Sequence, residues 1–334
     1  MLAAAAVLSG CAATVTGQPV TGAPPAAFYP IESDSLSMRL EFEATVEEVN
    51  DYWTEDRKKG AEPIDPGMPG DMGLIGSDRA TGVVIAPTVG EPPSRRRLVA
   101  ETDEGDLADG VSSAPHGRLY MVFERGDGVC SATVVASEGK NVVVTAAHCV
   151  WDTETGEAAG NLFFIPEDEN WGQGRPYGMW VPTAVHMSNT FSAEAHSSEV
   201  LGIYGDGWAY DFAFLEMAPD GDGRNIEEVT GGQGIAFGVP VEDLVVLGYP
   251  SAEPFDGSTQ RYCAADQWEP IAHAYAIPCL MTPGASGGAW LSGFDAQTRT
   301  GYVVGTSSFS NGFELGAAPL GAVALGLYNE VGQQ

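Results

Sequence analysis

A histidine, an aspartate and a serine stand in surroundings suited to nucleophilic catalysis. His148 follows the apolar segment 142–144, and Asp211 lies between apolar neighbours. Ser286 lies among glycines in the segment 282–288. A serine hydroxyl is a weak nucleophile until an imidazole takes its proton, and a carboxylate can hold that imidazole in the required tautomer. The three residues therefore predict attack by Ser286 on a carbonyl carbon, with His148 as the base and Asp211 orienting it.

The glycines around Ser286 add a second prediction about the same chemistry. Residues without a Cβ atom allow a tight turn that brings backbone N–H groups together. Such groups can stabilise the negative oxygen of a tetrahedral intermediate. We therefore expect an oxyanion hole formed by the amides of Gly284 and Ser286.

The motifs TAAHC (145–149), YDFAFL (210–215) and GASGG (284–288), in this order, resemble the chymotrypsin-type serine peptidases. More closely, the chain resembles the exported trypsin-like peptidases of actinobacteria, over most of residues 45–334. The resemblance implies an all-β fold of two perpendicular six-stranded β-barrels with the active site in the cleft between them. Ala285 stands where many relatives carry an aspartate that pairs with a newly cut N-terminus, so we expect that activation switch to be absent.

The resemblance also places a primary specificity pocket beside Ser286. Its residues correspond to Leu280, Met281 and Thr282, and to Ser308 and Ser310 in a downstream strand. None of these is charged, whereas selection of Arg or Lys needs a carboxylate and selection of Glu needs a cationic donor. We expect a preference for uncharged P1 side chains of small to medium size, unless the carboxylate of Glu314 enters the pocket.

The elements that must position these residues are short and β-rich. Apolar segments separated by turn residues occur at 119–123, 131–135, 142–145, 162–165, 212–217, 244–247 and 302–306. Alone, they predict a barrel or a sandwich. Leu320, Val323, Leu327 and Val331 have helical spacing and predict a C-terminal amphipathic helix. We assign residues 111–334 to the peptidase domain.

Residues 36–110 form a propeptide-like extension before that domain. Apolar residues alternate over 36–42, which predicts a strand, and a helical apolar stripe that ends at Trp53 follows a capping box. The stripe is costly to leave in water, so we expect 36–60 to dock on the β domain. The stretch 61–112 is rich in Pro, Gly and Asp and cannot build a core alone.

Five cysteines indicate where the protein works. Without Cys11, four remain, and they allow three pairings. The local pairing of Cys130 with Cys149 and of Cys263 with Cys279 closes short loops, each stabilising by about 3 kcal/mol in the chain-entropy model. Disulfides imply an oxidising, exported location.

The first 35 residues read as targeting sequence. An apolar run ends in Leu8-Ser9-Gly10-Cys11, which resembles a bacterial lipobox, so 1–11 is predicted to be a signal sequence with Cys11 as the lipidation site. Alternatively, Cys11 is an incidental residue of a removed leader. Residues 12–35 are small and Pro-containing and are typical of a flexible tether. We expect a cell-surface lipoprotein or a secreted protein that contacts the membrane only through the lipid on Cys11.

Composition limits the partners. The 334 residues carry 15 Lys and Arg against 46 Asp and Glu, a formal net charge of −31 at pH 7. This charge repels phosphate backbones, so nucleic-acid binding is not expected. The histidines outside the motifs, His116, His186, His196 and His273, lack the paired spacing of a metal site. We expect a monomer that acts on peptide or protein substrates without cofactor or metal.

The leading hypothesis is an exported serine endopeptidase that works through an acyl-enzyme. One alternative is a non-catalytic cell-surface binding module on a protease-like fold, against which the complete His-Asp-Ser set argues. Another is an esterase that uses the same three residues, since acyl-enzyme chemistry is common to both. Labelling of Ser286 by a fluorophosphonate separates the binding module from either enzyme.

Overall fold

The structure is a computed structural model that describes residues 37–68, 70, 82–90, 97–100, 110–111, 113–168, 170–198, 200–271 and 274–332. The predicted signal sequence 1–11 with Cys11, the tether 12–35 and His273 lie outside these residues. None of the helices in the described ranges is long and apolar enough to cross a bilayer.

Short strands dominate the chain. In chain order they are β1 (Ser37–Glu41), β2 (Glu62–Pro63), β3 (Val83–Ile85), β4 (Thr88–Val89), β5 (Arg97–Ala100), β6 (Gly110–Val111), β7 (His116–Phe123), β8 (Gly126–Val134), β9 (Val142–Thr145), β10 (Trp151–Asp152), β11 (Glu157–Ala158), β12 (Gly160–Pro166), β13 (Pro182–Ser188), β14 (His196–Ser198), β15 (Gly202–Tyr204), β16 (Ala213–Met217), β17 (Gly231–Gly232), β18 (Gly234–Phe237), β19 (Leu244–Gly248), β20 (Arg261–Ala265), β21 (Glu269–Ile271), β22 (Ala274–Pro278), β23 (Ala289–Asp295), β24 (Thr300–Ser310) and β25 (Glu314–Pro319). The helices are α1 (Val46–Tyr52), α2 (Glu55–Gly60), α3 (Asn189–Glu194), α4 (Ile226–Thr230) and α5 (Ala322–Val331). Each predicted strand overlaps an observed strand, and α5 is the predicted C-terminal helix.

Two large sheets hold most of these strands. The first has the order β1-β13-β16-β9-β8-β7-β12, with β2 beside β8. The second has the order β21-β22-β25-β24-β23-β19-β20-β5-β6, with β18 beside β24 and β3 beside β18. Without β1 and β2, which belong to the extension, the first sheet has the six strands expected for one barrel. The predicted all-β class is thus confirmed.

The strands β9 and β16 pair with each other and are buried on both faces. The side chain of Val143 belongs to one apolar core, whereas those of Val144 and Phe214 belong to the other. Burial on both faces explains why these strands are continuous apolar runs in the sequence. Both cores therefore hold the ends of β9 and β16, next to which His148 and Asp211 lie.

The extension contributes strands to both sheets. β1 is antiparallel to β13 and β2 is parallel to β8, while β3 pairs with β18 and β5 with β20. The capping box predicted for α1 is present, with Thr45 and Glu48 satisfying each other's backbone N–H groups. Segment 36–60 docks as predicted over its described part, although the helix is divided into α1 and α2 at Trp53 and Thr54.

A buried histidine makes the stability of this fold depend on pH. His116 is 2% exposed, and its Nδ1 atom lies 2.7 Å from the Thr133 hydroxyl. Burial lowers the pKa of His116 from 6.5 to about 3. Below pH 6.5, His116 binds a proton in the unfolded chain but stays neutral in the folded chain. Protonation therefore favours the unfolded chain, and the contribution of His116 to stability is lost as the pH falls from 6.5 toward 3. We expect the free energy of unfolding to fall by roughly 1–2 kcal/mol between pH 6.5 and 5 because of His116 alone.

Urea unfolding of His116→Gln at both pH values tests this expectation. The variant keeps a partner for Thr133 but cannot titrate, so its stability should fall less than that of the wild type over the same interval. His196→Gln, which changes an exposed histidine, is the control and should keep the wild-type dependence. An unchanged pH dependence in His116→Gln would contradict the assignment.

Candidate active site

His148 and Asp211 form a buried hydrogen-bonded pair. His148 lies in the 3-10 turn that follows β9 and is 2% exposed, whereas Asp211 is fully buried. The His148 Nδ1 atom lies 2.8 Å from Asp211 Oδ2, and the His148 backbone amide donates to Oδ1 at 2.9 Å. The Ser308 hydroxyl also donates to Oδ2, at 2.5 Å. These bonds compensate the cost of burying the carboxylate and leave the Nε2 atom of His148 available for chemistry.

Ser286 lies on a turn that packs against the strands leading to His148. The Ser131 amide of β8 donates to the Ser286 carbonyl oxygen at 2.7 Å. Gly287 has φ of +77°, and a Cβ atom there would lie 2.1 Å from Thr145 Oγ1 and 2.4 Å from the Ser131 carbonyl oxygen. Only glycine fits this conformation and this approach. Gly287 thus allows the loop that carries Ser286 to pack closely against β8 and β9 of the first sheet.

The expected oxyanion donors lie on the same turn. Gly284 has φ of +98°, and its carbonyl oxygen accepts a hydrogen bond from the Ser131 hydroxyl at 2.8 Å. The same hydroxyl accepts from the Tyr249 amide at 2.9 Å. Among the described residues, the amides of Gly284 and Ser286 donate to no backbone carbonyl. This backbone geometry is compatible with the predicted oxyanion hole, which stays a prediction.

Ser286 and His148 are not hydrogen-bonded to each other. The Ser286 hydroxyl donates instead to the carbonyl oxygen of Ile64, in the extension, at 3.3 Å. His148 Nε2 is buried and has no hydrogen-bond partner within the described ranges. The His-Asp pair is therefore assembled, whereas the serine is engaged by the extension.

Both predicted disulfides are present. Cys130–Cys149 joins β8 to the turn that carries His148, and Cys263–Cys279 joins β20 to the segment that leads to Ser286. The sulfur atoms of Cys130 and Cys149 lie near a ring nitrogen of His148. Because these sulfurs are bonded to each other, they are not the thiolates that a metal would require.

A small pocket lies beside Ser286. Its lining includes residues from the loop before the nucleophile, from β24, from β25 and from the extension: Thr282, Pro283, Ala285, Ser307, Ser308, Phe309, Ser310, Leu315, Ile64, Asp65 and Pro66. The carboxylate of Glu314 is not in this lining and accepts a hydrogen bond from Asn311 at 2.9 Å. The part of the lining that comes from the peptidase domain is uncharged.

Two of the predicted pocket residues do not line it. Met281 is 1% exposed and packs in the core of the second sheet, and Leu280 is 46% exposed. Their neighbour Cys279 is buried in its disulfide, so the chain alternates inward and outward here and turns Leu280 toward solvent. Ser308 does line the pocket, but its hydroxyl is bound to Asp211 rather than free for a substrate.

Comparison with known proteins assigns the family. A sequence profile of the trypsin-like peptidase domain matches residues 130–305, just over half of the chain. The chain belongs to the trypsin-like peptidase family. No curated protein sequence matches it significantly.

Solved structures agree with this assignment. The peptidase is similar to the thermostable serine protease AL20 from an extremophilic microorganism, with 29% identity, a TM-score of 0.55, and coverage of 66% of this chain and 98% of AL20. It is similar to the protease Anisep from Arthrobacter nicotinovorans, with 27% identity, a TM-score of 0.56, and coverage of 67% and 97%. The protein is therefore a serine-type peptidase with a chymotrypsin-like double-barrel fold. About a third of its length has no counterpart in these two proteases.

Two residues of the site escaped sequence reasoning. Ser131 connects the backbone of Gly284 to that of Tyr249, and no motif singles it out beyond its place after Cys130. Ile64 contacts Ser286 across 222 residues of sequence. Its only local signal is a lone apolar residue in a stretch of Pro and acidic residues.

Proposed function

We propose that this peptidase is an exported serine endopeptidase that cleaves peptide bonds through an acyl-enzyme formed on Ser286. The observation that carries the proposal is the buried bond of 2.8 Å between His148 Nδ1 and Asp211 Oδ2. This bond leaves Nε2 as the ring atom of His148 that can exchange a proton. Ser286 lies on a loop that packs against β9, the strand that His148 follows. Membership of the peptidase family makes a peptide the expected substrate.

The steps follow from this arrangement. Ser286 Oγ bonds to the substrate carbonyl carbon while its proton passes to His148 Nε2, and the carbonyl π electrons move to the oxygen. The amides of Gly284 and Ser286 stabilise that oxyanion, and Asp211 stabilises the imidazolium. Collapse of the intermediate breaks the C–N bond, and the leaving amine takes the proton from Nε2. Water then repeats the sequence on the ester, releasing the acid and restoring Ser286.

A fluorophosphonate probe and a peptide substrate test the proposal together. Both are applied to the full chain, to Ile64→Ala, which loosens the extension from the serine, and to Ser286→Ala. Labelling and peptide hydrolysis that disappear in Ser286→Ala support the endopeptidase. Labelling with hydrolysis of esters but not peptides would indicate an esterase, and no labelling of any folded variant would indicate a binding module.

The uncharged part of the pocket lining, which comes from the peptidase domain, supports a proposal on specificity. Several of its polar groups are already engaged: the Thr282 hydroxyl donates to Ala252 at 2.8 Å, and the Ser307 hydroxyl accepts from Trp290 at 3.1 Å. A basic P1 side chain would thus be buried without a counter-charge. We expect kcat/KM for P1 Ala or Leu to exceed that for P1 Arg by more than about tenfold, which corresponds to about 1.4 kcal/mol.

A fluorogenic peptide series that varies only P1 checks this expectation in the Ile64→Ala variant. P1 Glu serves as the second charged comparison, since the pocket offers no cationic donor either. A preference for Arg over Ala and Leu would show that a carboxylate reaches the pocket.

The cellular location of the peptidase is a further part of the proposal. The two disulfides support an oxidising compartment outside the cytoplasm. We propose that Cys11 carries a lipid that anchors the peptidase to the cell surface. Incorporation of a radiolabelled fatty acid in the wild type but not in Cys11→Ser would support the anchor, and incorporation in neither would indicate a secreted protein.

A further inference from the structure

We propose that residues 62–66 of the extension, called the cleft segment below, keep the peptidase latent by filling its active site in the direction opposite to a substrate. This inference rests on the proposed function, since it concerns the regulation of the same site. It is carried by four observations: a parallel strand pairing, a closed pocket, the orientation of one carbonyl group, and anchorage on both sides.

The cleft segment enters beside β8. Glu62 and Pro63 pair in parallel with Gly128 and Val129, and the Ile64 amide donates to the Val129 carbonyl oxygen at 3.1 Å. The Ile64 side chain is 6% exposed and packs into the core of the first sheet. Its Cδ1 atom lies 2.6 Å from the position that a Cβ atom of Gly128 would take. Gly128 therefore makes room for Ile64.

The cleft segment then closes the specificity pocket. Ile64, Asp65 and Pro66 form part of the pocket wall beside Ser286. The space that remains is about 20 Å³, little more than one water molecule requires. A substrate side chain cannot enter until the cleft segment moves.

The direction of the cleft segment is opposite to that of a productive substrate. The cleft segment passes Ser286 at Ile64, with β8 on its earlier side and the pocket on its later side. A substrate that places its P1 side chain in the pocket must continue, after the bond at Ser286, away from the pocket and therefore toward β8. In the cleft segment the earlier residues, Glu62 and Pro63, lie on β8 and the later ones, Asp65 and Pro66, lie at the pocket.

The reversed direction explains why the segment is not a substrate. Attack requires Ser286 Oγ to approach a carbonyl carbon whose oxygen points toward the oxyanion donors. Here it is the oxygen of Ile64 that faces Ser286 Oγ, at 3.3 Å, and accepts its proton in a hydrogen bond. The hydroxyl proton is thus bound to Ile64 and not to His148 Nε2, and we expect the peptide bond after Ile64 to stay intact.

The cleft segment is held on both sides. Before it, Trp53 packs 5.5 Å from the ring of Tyr120 and 5.3 Å from that of Phe163. After it, Met68 and Gly70 exchange backbone hydrogen bonds of 2.9 Å with Ile203. An intramolecular occupant tethered at both ends acts at a high effective concentration, so modest contacts suffice to exclude substrates.

Substitution of Ile64 in the full chain tests the proposal. Ile64→Asp places a charge in an apolar core and should expel the cleft segment, and Ile64→Ala, a milder change, keeps the test valid if the first variant does not fold. We expect both to raise the rate of fluorophosphonate labelling of Ser286 and kcat/KM for a peptide with P1 Ala at least tenfold. Val46→Asp, an exposed position of α1 in the same extension, is the matched control and should leave both rates unchanged.

The outcomes separate this inference from the proposed function. Equal, rapid labelling of the wild type and the Ile64 variants would overturn latency and leave the endopeptidase assignment intact. No labelling of any folded variant would overturn the endopeptidase assignment itself. Mass spectrometry of the wild type after long incubation gives a further check: cleavage between Ile64 and Asp65 that is absent in Ser286→Ala would overturn the reversed direction.

Discussion

Replacing Asp211 by asparagine is expected to lower kcat for peptide hydrolysis by roughly four orders of magnitude. Its Oδ2 atom lies 2.8 Å from His148 Nδ1, and Oδ1 accepts from the His148 backbone amide. An asparagine must present an NH2 group to one of these donors, so the imidazole takes the wrong tautomer and the imidazolium loses its counter-charge. KM should change little, because Asp211 is buried beneath the histidine and does not touch the substrate.

The measurement compares kcat in the Ile64→Ala background, so that displacement of the cleft segment does not limit the rate. Ser308→Ala is the matched control, since it removes one hydrogen bond to Oδ2 and keeps the carboxylate. A hydrogen bond to a charged group is worth about 1.5–3 kcal/mol, so its effect on kcat should stay below about 200-fold. A loss in Asp211→Asn no larger than that in Ser308→Ala would show that the carboxylate does not orient the base.

Replacing Trp53 by alanine is expected to reduce the free energy of unfolding by about 3–5 kcal/mol. Trp53 is 3% exposed and belongs to the same apolar cluster as Tyr120 and Phe163 of the first sheet. Its indole N–H donates to the Asn161 carbonyl oxygen at 2.9 Å. The substitution leaves a cavity against β7 and β12 and removes a buried hydrogen bond. It should therefore destabilise the first sheet as well as the extension.

Urea unfolding of the full chain measures this loss. Phe313→Ala truncates an aromatic residue that is 77% exposed and should change stability by less than about 0.5 kcal/mol. A change in Trp53→Ala as small as in this control would mean that the extension rests on the sheet without sharing its core. The same variant should label faster at Ser286, because Trp53 anchors the segment that precedes Ile64.

The motifs around His148, Asp211 and Ser286 could be recognised in the sequence because their signals are local. Each lies in a short motif whose residue types are required by the turn or strand that carries it, as Gly287 shows by its close approach to Thr145. The disulfides were predictable for a similar reason, since Cys130 in β8 and Cys149 in the turn after β9 are near in sequence.

The extension was harder to predict beyond Gly60. Its later strands contain two to four residues, and their partners β8, β18 and β20 lie far away in sequence. So short a strand has no periodicity to read. The contact between Ile64 and Ser286 depends on where the whole chain passes, not on the residues next to either.

The side chains of β24 show a different limit. The pairing of β24 with β25 shifts register between Ser307 and Phe309. Such an irregularity breaks the alternation from which the face of a side chain is inferred. The resemblance placed Ser308 in the pocket, where it does lie, but it could not indicate that the Ser308 hydroxyl is bound to Asp211.

The position of the cleft segment before its target in the chain sets an order in time. Ile64 precedes Ser286 by 222 residues, and synthesis from the N-terminus at about 5–20 residues per second makes the segment roughly 10–40 s before the serine. When Ser286 is synthesised, the cleft segment is already part of the chain. The occupant of the active site is therefore translated before the nucleophile that it covers.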